Sequence, residues 1–219
     1  MSDIGRLENN NKIEISRDSI MEPTILHAPT PILCFKIPEI ILKEIDNWVS
    51  VSRSIKEHPL AFLKGHENYG FLKNAEEKKY NTYQCAVPDH LVHDSYWMAW
   101  TLRLSSKYFG PKDESHHREF RMEECCGHFD SYSIWTNFSY KGDENPCHNH
   151  TGLVSGIIYY KNHGHPTIFD NVGGSYDGVD GTMLLFPSCT YHHVDVQTAD
   201  EERITIAFNV RKSQDAPFS

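Results

Sequence analysis

Two histidine clusters in the C-terminal half of the chain contain side chains that commonly bind metal ions. His148 and His150 lie in the segment Cys147-His-Asn-His150, and His192 lies in a later segment, Tyr191-His-His-Val194. Residues i and i+2 of a β-strand point to the same face, so both imidazoles of the first segment can approach one ion. A strand that returns alongside and carries His192 would supply a third. Imidazole binds iron, zinc, copper and nickel, so these residues do not select the metal.

Short apolar runs separated by turn residues indicate that β-strands position these histidines. One run, residues 153–160, follows the first cluster, and another, residues 182–187, precedes the second. Gly, Asn and Asp occupy the intervening segments and are typical of turns. The predicted strands are residues 132–138, 153–160, 167–169, 182–186, 192–196 and 203–210. Strands this short and this closely spaced favour a sandwich or a barrel.

The N-terminal half predicts helices instead. Residues 32–35 indicate a short strand, and residues 39–51 have apolar side chains at helical spacing. A second helix is predicted from Pro88 to Gly110, with apolar and aromatic residues at intervals of four. The predicted fold is mainly β with supporting helices: a cupin-like double-stranded β-helix, or jelly roll, preceded by N-terminal α-helices.

We expect one domain over residues 1–219, a length at which all-β folds commonly remain undivided. Within it we expect a loose N-terminal arm over residues 1–27, with one edge strand near residues 12–16. A helical and mixed support region should follow over residues 28–127, and a jelly-roll catalytic core over residues 128–212.

Charge and composition exclude several kinds of partner. The formal net charge is −9 and the sequence has no basic run, so we expect no nucleic acid. No apolar segment predicts a signal peptide or a membrane span. Without an export signal, the six cysteines are expected to be reduced, and the predicted location is the cytoplasm. The 14 histidines favour metal chemistry.

A longer series of motifs runs from Trp135 to Val210. Its elements are Trp135 and Asn137, His148 and His150, Ser155-Gly156 with Tyr159-Tyr160, Gly181, Phe186-Pro-Ser188, His192 with Val194, and Glu202-Arg-Ile204 followed by Phe208-Asn209. In order and spacing the series resembles the 2-oxoglutarate/Fe(II)-dependent oxygenase superfamily, in particular a prolyl-hydroxylase-like branch of small microbial and phage proteins. The match is dense over the C-terminal third of the chain and thin elsewhere.

The resemblance implies a set of metal ligands. The superfamily holds Fe(II) with His-x-Asp/Glu and a distal His, which correspond here to His148 and His192. The middle position carries His150 where Asp is usual. Three neutral imidazoles leave the ion with one negative charge fewer. A carboxylate from elsewhere is the alternative, with Asp143, Glu144 and Asp170 as candidates.

The resemblance also implies a site for 2-oxoglutarate. Arg203 occupies the position from which the superfamily binds the distal carboxylate of this cosubstrate, and Thr205 should face the same side and add a hydroxyl. Tyr160 and Asn137 match family positions that hydrogen-bond the cosubstrate. The alternative for Arg203 is a solvated edge-strand residue paired with Glu202 or Asp200.

The predicted activity is a 2-oxoglutarate-dependent dioxygenase, a hydroxylase that releases succinate and CO2. Fe(II), 2-oxoglutarate as cosubstrate and ascorbate as reductant are the implied cofactors. The substrate is expected to be a peptide or a small molecule: a peptidyl proline, an amino acid or another metabolite. The alternatives are a cupin-like three-His dioxygenase that does not use 2-oxoglutarate, and a non-catalytic jelly-roll binding module.

Three further residue groups have weaker predictions. Cys125, Cys126 and His128 lack the spacing of a structural zinc site. Cys147 is expected to be a packed thiol, and His193 should point away from His192 on its strand.

Overall fold

The computed structural model describes residues 23–27, 30–57, 82–93, 95–110 and 129–212. Three helices are described: α1 Glu39–Glu57, α2 Asp89–Val92 and α3 Tyr96–Phe109. The strands are β1 Thr24–His27, β2 Ile32–Lys36, β3 Tyr83–Ala86, β4 Phe129–Ser139, β5 Asn145–His148, β6 Val154–Lys161, β7 Thr167–Phe169, β8 Gly174–Tyr176, β9 Thr182–Pro187, β10 His192–Val194 and β11 Arg203–Lys212.

These strands form two antiparallel sheets. The larger sheet has seven strands in the order β1-β2-β9-β6-β11-β4-β3, and the smaller has four in the order β5-β10-β7-β8. Between β5 and β11 successive strands largely alternate between the sheets, which is the connectivity of a double-stranded β-helix. The predicted fold class is therefore confirmed.

The helices pack on one face of the larger sheet. Side chains alternate along β11, and Ile204, Ile206, Phe208 and Val210 join a buried cluster with residues of α1 and α3. The ring of Phe208 lies 5.0 Å from that of Trp97 on α3, edge to face. The other residues of β11 therefore face the smaller sheet.

Gly156 on β6 makes the packing of Phe208 possible. A Cβ atom at position 156 would lie 2.0 Å from Cζ of Phe208. Only glycine leaves room for this aromatic ring on the neighbouring strand.

A second, smaller apolar cluster lies between the two sheets. It contains Ile32, Ile157, Tyr159, Phe169, Leu184 and Phe186. The rings of Phe169 on β7 and Phe186 on β9 are 5.2 Å apart and connect the sheets. Beside this cluster, the space between the sheets is lined by polar side chains.

Several element predictions need correction. The second predicted helix is two helices, because Ser95 accepts a hydrogen bond from the backbone N–H of Met98 and caps α3 as a new helix. Strands β1, β3, β5 and β8 were not predicted. Strand β1 lies in the last residues of the predicted arm and pairs with β2. The predicted strand at residues 12–16 lies outside the described residues, and the division into an arm, a support region and a core stays a prediction.

No helix in the described ranges is long and apolar enough to cross a membrane.

Candidate metal centre and ligand cavity

The structure brings the three predicted histidines together. One ring nitrogen from each of His148, His150 and His192 lies within 4.8 Å of the others. The ring centroids are 4.9 Å apart for His148 and His150, 4.5 Å for His148 and His192, and 5.3 Å for His150 and His192. Three imidazoles at these distances can bind one metal ion.

Sheet register explains this convergence. His148 ends β5 and His192 begins β10, and the two residues pair directly in the smaller sheet. His150 lies beyond the end of β5, where its backbone N–H donates to the carbonyl of Ser188 at 2.9 Å. The prediction that one strand carries both His148 and His150 is therefore wrong in detail: the loop after β5 positions the second imidazole.

Backbone hydrogen bonds orient two of the rings. Nδ1 of His148 lies 2.7 Å from the carbonyl oxygen of Pro146, and Nδ1 of His192 lies 3.0 Å from that of Thr190. Because a carbonyl only accepts, each Nδ1 carries the proton, and Nε2 is the unprotonated nitrogen of each ring. Metal-binding histidines use this arrangement to fix their tautomer.

Burial keeps the cluster neutral. Desolvation, together with the neighbouring imidazoles, lowers the pKa of His150 to about 4 and that of His192 to about 3. Desolvation also lowers the pKa of His148. The rings therefore present lone pairs, not protons, to an ion at neutral pH, as metal ligation requires.

Within the described residues no carboxylate joins the three imidazoles. Asp143 accepts from the backbone N–H of Tyr140 at 2.8 Å, and Glu144 is exposed. Asp170 lies instead in a second cluster with Cys147 and His193. None of the three predicted carboxylate candidates completes the centre.

This second cluster also tests two other predictions. His193 does point away from His192, as predicted, and bonds Asp170. Cys147 is exposed, so the prediction of a packed thiol is wrong. Cys125, Cys126 and His128 lie outside the described residues.

A cavity of about 370 Å³ opens beside the histidines, between the two sheets. Residues of β11 that face the smaller sheet line it, namely Arg203, Thr205, Ala207, Asn209 and Arg211. The predicted alternation along this strand is confirmed, because the intervening apolar residues face the helices. The volume lies in the range that small-molecule sites occupy.

Arg203 places a buried positive charge in this cavity. The residue is only 5% exposed, and burial lowers the pKa of its guanidinium. Its Nε donates to Oδ1 of Asn162 at 2.6 Å, and no carboxylate within the described part of the chain pairs with it. Glu202, the partner considered for a solvated Arg203, bonds Arg53 and Lys56 on α1. A buried cation without a counter-ion is unfavourable unless a ligand supplies the negative charge.

Asn162 was not predicted as a site residue, although it fixes Arg203. Its side-chain amide donates to the carbonyls of His165 at 2.7 Å, Asp177 at 2.7 Å and Gly178 at 3.0 Å. With Nδ2 committed to these three acceptors, Oδ1 must face Arg203. The segment Asn162-His-Gly164 predicts a turn, and no sequence signal distinguishes a structural turn asparagine from one that orients an arginine.

The cavity wall contains further polar atoms that lack a hydrogen-bond partner among the described residues. They are Thr82 Oγ1, Trp135 Nε1, Asn137 Oδ1, Ser139 Oγ and Asn145 Oδ1. Buried polar atoms are rarely left without partners. Asn137, as predicted from the motif, lies in this wall beside Thr205, with Nδ2 and Oγ1 3.4 Å apart. The wall is therefore suited to a small polar ligand.

Tyr160 is the predicted site residue that the structure does not bring to the cavity. It packs against the cluster under the helices, and its pKa is raised by burial and by a hydrogen bond to Asp46 on α1. The preceding Tyr159 faces inward, fully buried, with its hydroxyl 2.7 Å from that of Thr167. The predicted role of Tyr160 in binding the cosubstrate does not fit the structure. Its side chain lies on the face of β6 opposite to the cavity.

No family model and no curated protein matches the chain in sequence. A prolyl-4-hydroxylase from Pseudomonas putida superposes with a TM-score of 0.48 at 12% identity, over 85% of this chain and 95% of the other. The viral collagen prolyl hydroxylase of Paramecium bursaria Chlorella virus-1, as its 2OG complex, gives 0.48 at 12% identity over 84% and 96%.

The chain is similar in fold to these two hydroxylases. A cupin domain from Bordetella pertussis also superposes, with a TM-score of 0.32 at 12% identity over 39% of this chain and 94% of the other. Likenesses at this level concern the fold alone.

Proposed function

We propose that the chain is a metal-dependent oxygenase that uses 2-oxoglutarate as cosubstrate and hydroxylates its substrate. The observation that carries the proposal is Arg203, a guanidinium that is 5% exposed and lines the same cavity as His148, His150 and His192. A dicarboxylate with a 2-oxo acid end fits both features. One end can reach an ion at the imidazoles while the other neutralises the buried cation.

The three imidazoles would hold a divalent ion such as Fe(II). Their nitrogen donors and neutral charge fit iron, and backbone carbonyls fix the tautomers of His148 and His192, although zinc and copper also accept imidazole. When bound, iron supplies the activation of oxygen that is coupled to oxidation of 2-oxoglutarate to succinate and CO2. The protein's own residues bind, orient and desolvate the reactants.

Arg203 would bind the distal carboxylate with charge-assisted hydrogen bonds through its terminal nitrogens, because Nε is committed to Asn162. Thr205 adds a hydroxyl on the same face of β11, and the side chain of Asn137 lies beside it. Ile157, Ala207 and Phe186 line the cavity with apolar surface that excludes water.

The three-His donor set favours one alternative, a cupin-like dioxygenase whose substrate itself binds the metal. That enzyme needs no cation near the metal, and neither does a non-catalytic binding module. Both alternatives leave the buried charge of Arg203 without a function, whereas 2-oxoglutarate supplies its counter-ion.

Binding of 2-oxoglutarate to the Arg203→Ala variant tests the proposal. Removing one partner of a buried ion pair costs about 3–5 kcal/mol, so the affinity should fall by at least about a hundredfold. Titration calorimetry in the presence of Mn²⁺ measures it without turnover. Arg211→Ala is the matched control: Arg211 also lines the cavity but is exposed, so its removal leaves no buried charge unpaired and should lower the affinity far less. Equal affinity in the wild type and Arg203→Ala would favour the cupin-like alternative.

Succinate formation tests the activity itself. Incubation with Fe(II), 2-oxoglutarate, ascorbate and oxygen should release succinate slowly even without substrate, and His192→Ala should abolish the release. Candidate substrates, namely proline-containing peptides, free amino acids and small metabolites, should accelerate it. Succinate release that is identical with and without the protein would contradict the proposal.

A further inference from the structure

The smaller sheet has a second cluster of metal-binding side chains on the face opposite to the three histidines. Cys147, Asp170 and His193 each place one ligand atom within 4.8 Å of the others. They adjoin inward-facing residues on three neighbouring strands: Cys147 precedes His148 on β5, and His193 follows His192 on β10. Asp170 follows Phe169, the last residue of β7, which pairs with His192. The alternation that turns His148 and His192 inward turns these side chains outward.

The hydrogen bonds of this outer cluster converge on one oxygen atom. Oδ2 of Asp170 lies 2.8 Å from Nδ1 of His193 and accepts from Sγ of Cys147 at 3.3 Å. Both partners thus direct a proton at the same carboxylate oxygen. A divalent cation that replaces the two protons would gain a thiolate, a carboxylate and an imidazole as ligands.

We propose that Cys147, Asp170 and His193 form a second metal site, which binds Zn²⁺ on the outer face of the smaller sheet. Sulfur, nitrogen and oxygen ligands of this kind are those that zinc uses, at bond lengths of about 2.0–2.3 Å. The thiolate and the carboxylate together balance the charge of a divalent ion. Water would occupy the fourth position, since Cys147 and Asp170 are exposed.

Two further contacts favour a built site over a chance cluster. Nε2 of His193 lies 3.4 Å from Oδ1 of Asp195, so when an ion replaces the proton on Nδ1, the proton on Nε2 can face a carboxylate. The backbone N–H of Asp170 donates to the carbonyl of Tyr191 at 3.0 Å, which fixes Asp170 to the segment entering β10. The ligands are therefore held by the sheet itself.

Such an ion would have a structural role. It would connect β5, β7 and β10 on one face of the sheet, directly behind the residues that carry His148 and His192. The outer ion, with a thiolate ligand, and the inner ion, held by imidazoles alone, would also differ in metal preference. This proposal does not depend on the proposed oxygenase activity.

Cobalt substitution tests the outer site, because Co²⁺ bound to a thiolate absorbs in the near ultraviolet and three imidazoles give no such band. The full-length reduced protein titrated with Co²⁺ should show the thiolate-to-cobalt band. Cys147→Ser should abolish it, and Asp170→Asn should weaken Co²⁺ binding at this band by about tenfold or more. Cys189→Ser is the matched control, since Cys189 is also an exposed free cysteine but lies outside the cluster.

Zinc content gives a second readout. Cys147→Ser should lose one equivalent of bound zinc relative to the wild type, with an unchanged circular dichroism spectrum, because the substituted side chain is exposed. A wild-type protein without the cobalt band would overturn the proposal. So would a band that persists in Cys147→Ser or disappears in Cys189→Ser.

Discussion

Polar side chains at the cavity are oriented by partners that contact only part of each group. Nε of Arg203 is committed to Asn162, and Nδ1 of His148 and of His192 faces a backbone carbonyl. Each of these contacts fixes the orientation of a group without neutralising it. The chain thus presents a cation and two lone pairs to the same space, and a ligand need not reorganise them on binding.

His150 is the residue at which the centre departs from the usual two-histidine, one-carboxylate set. We expect His150→Asp to bind Fe(II) at least about tenfold more tightly, or about 1.4 kcal/mol, because it adds a negative charge next to the ion. Competition with a chromogenic chelator measures the change. His150→Asn is the control: it has the same shape as Asp but no charge, and should bind iron more weakly than the wild type. Weaker binding by His150→Asp would show that the loop after β5 holds an imidazole at a distance that a shorter carboxylate cannot bridge.

Among the helices and strands, sequence periodicity predicted the elements whose two faces differ in polarity. The alternation of Arg203, Thr205 and Ala207 with Ile204, Ile206 and Phe208 gave both the strand β11 and its facing correctly. In β6 all residues from Val154 to Tyr159 are buried, so no alternation distinguishes Tyr159 from Tyr160. The assignment of Tyr160 comes from the resemblance, and because both faces of β6 are buried, no alternation in the sequence corrects it.

Short elements with unfavourable composition could not be predicted. Strand β5 contains Pro146, and β8 consists of Gly174, Ser175 and Tyr176, so neither resembles a strand in isolation. Both exist because neighbouring strands supply their hydrogen bonds. The break before α3 was missed for another reason: the apolar spacing of Val92, Tyr96 and Trp100 continues through it.

Contact between β6 and β11 depends on the glycine beneath Phe208. We expect Gly156→Ala to lower the free energy of unfolding by about 1–3 kcal/mol, the usual penalty for overpacking a core, because its Cβ would lie 2.0 Å from the ring. Urea unfolding monitored by tryptophan fluorescence measures it. Gly174→Ala on β8 is the matched control, since a Cβ there meets nothing within 4 Å, and its effect should be within about 0.5 kcal/mol. Equal stability of the two variants would contradict the packing described.

Helix α1 is joined to the start of β11 by Glu202. Its carboxylate bonds Arg53, Lys56 and Tyr140; although burial disfavours its charge, these hydrogen bonds lower its pKa from 4.5 to about 2. Since the folded-state pKa lies below that of the unfolded chain, this stabilisation is present above about pH 4.5 and is lost as the pH falls towards 2.

We therefore expect Glu202→Gln to be less stable than the wild type by roughly 1 kcal/mol at neutral pH, an amount reduced by the partial exposure of Arg53. The difference should shrink as the pH falls below 4.5. Urea unfolding over this range measures it. Asp200→Asn removes the exposed partner of Lys141 and serves as the control with little effect. A difference independent of pH would show that Glu202 acts by packing and not by charge.

For the whole molecule, the two sheets approach each other through Phe169 and Phe186 on one side and through the histidines and the cavity on the other. The apolar side forms its own contacts. The polar side includes a buried cation and polar atoms that have no hydrogen-bond partner in the described part of the chain. The order and spacing of the motifs identified the three histidines and Arg203 as candidate site residues. They did not predict the cavity, because its wall is assembled from strands that are distant in sequence.

Ligands that bind in the polar cavity between the sheets should therefore stabilise the entire fold. The metal ion should act first, and 2-oxoglutarate should add its effect once the metal is present. A divalent ion at a hundred times its dissociation constant should add about 2.7 kcal/mol, which for a chain of this size raises Tm by about 5–10 °C. With the metal present, 2-oxoglutarate should raise Tm further. In Arg203→Ala the metal shift should remain and the second shift should disappear. In His192→Ala the second shift should be lost together with the part of the metal shift that the three imidazoles contribute. Differential scanning fluorimetry of the three proteins, with succinate as a control ligand that lacks the 2-oxo group, measures the series. If 2-oxoglutarate still raised the Tm of Arg203→Ala, the distal carboxylate would bind elsewhere. Another ligand would then be needed to balance the buried charge of Arg203.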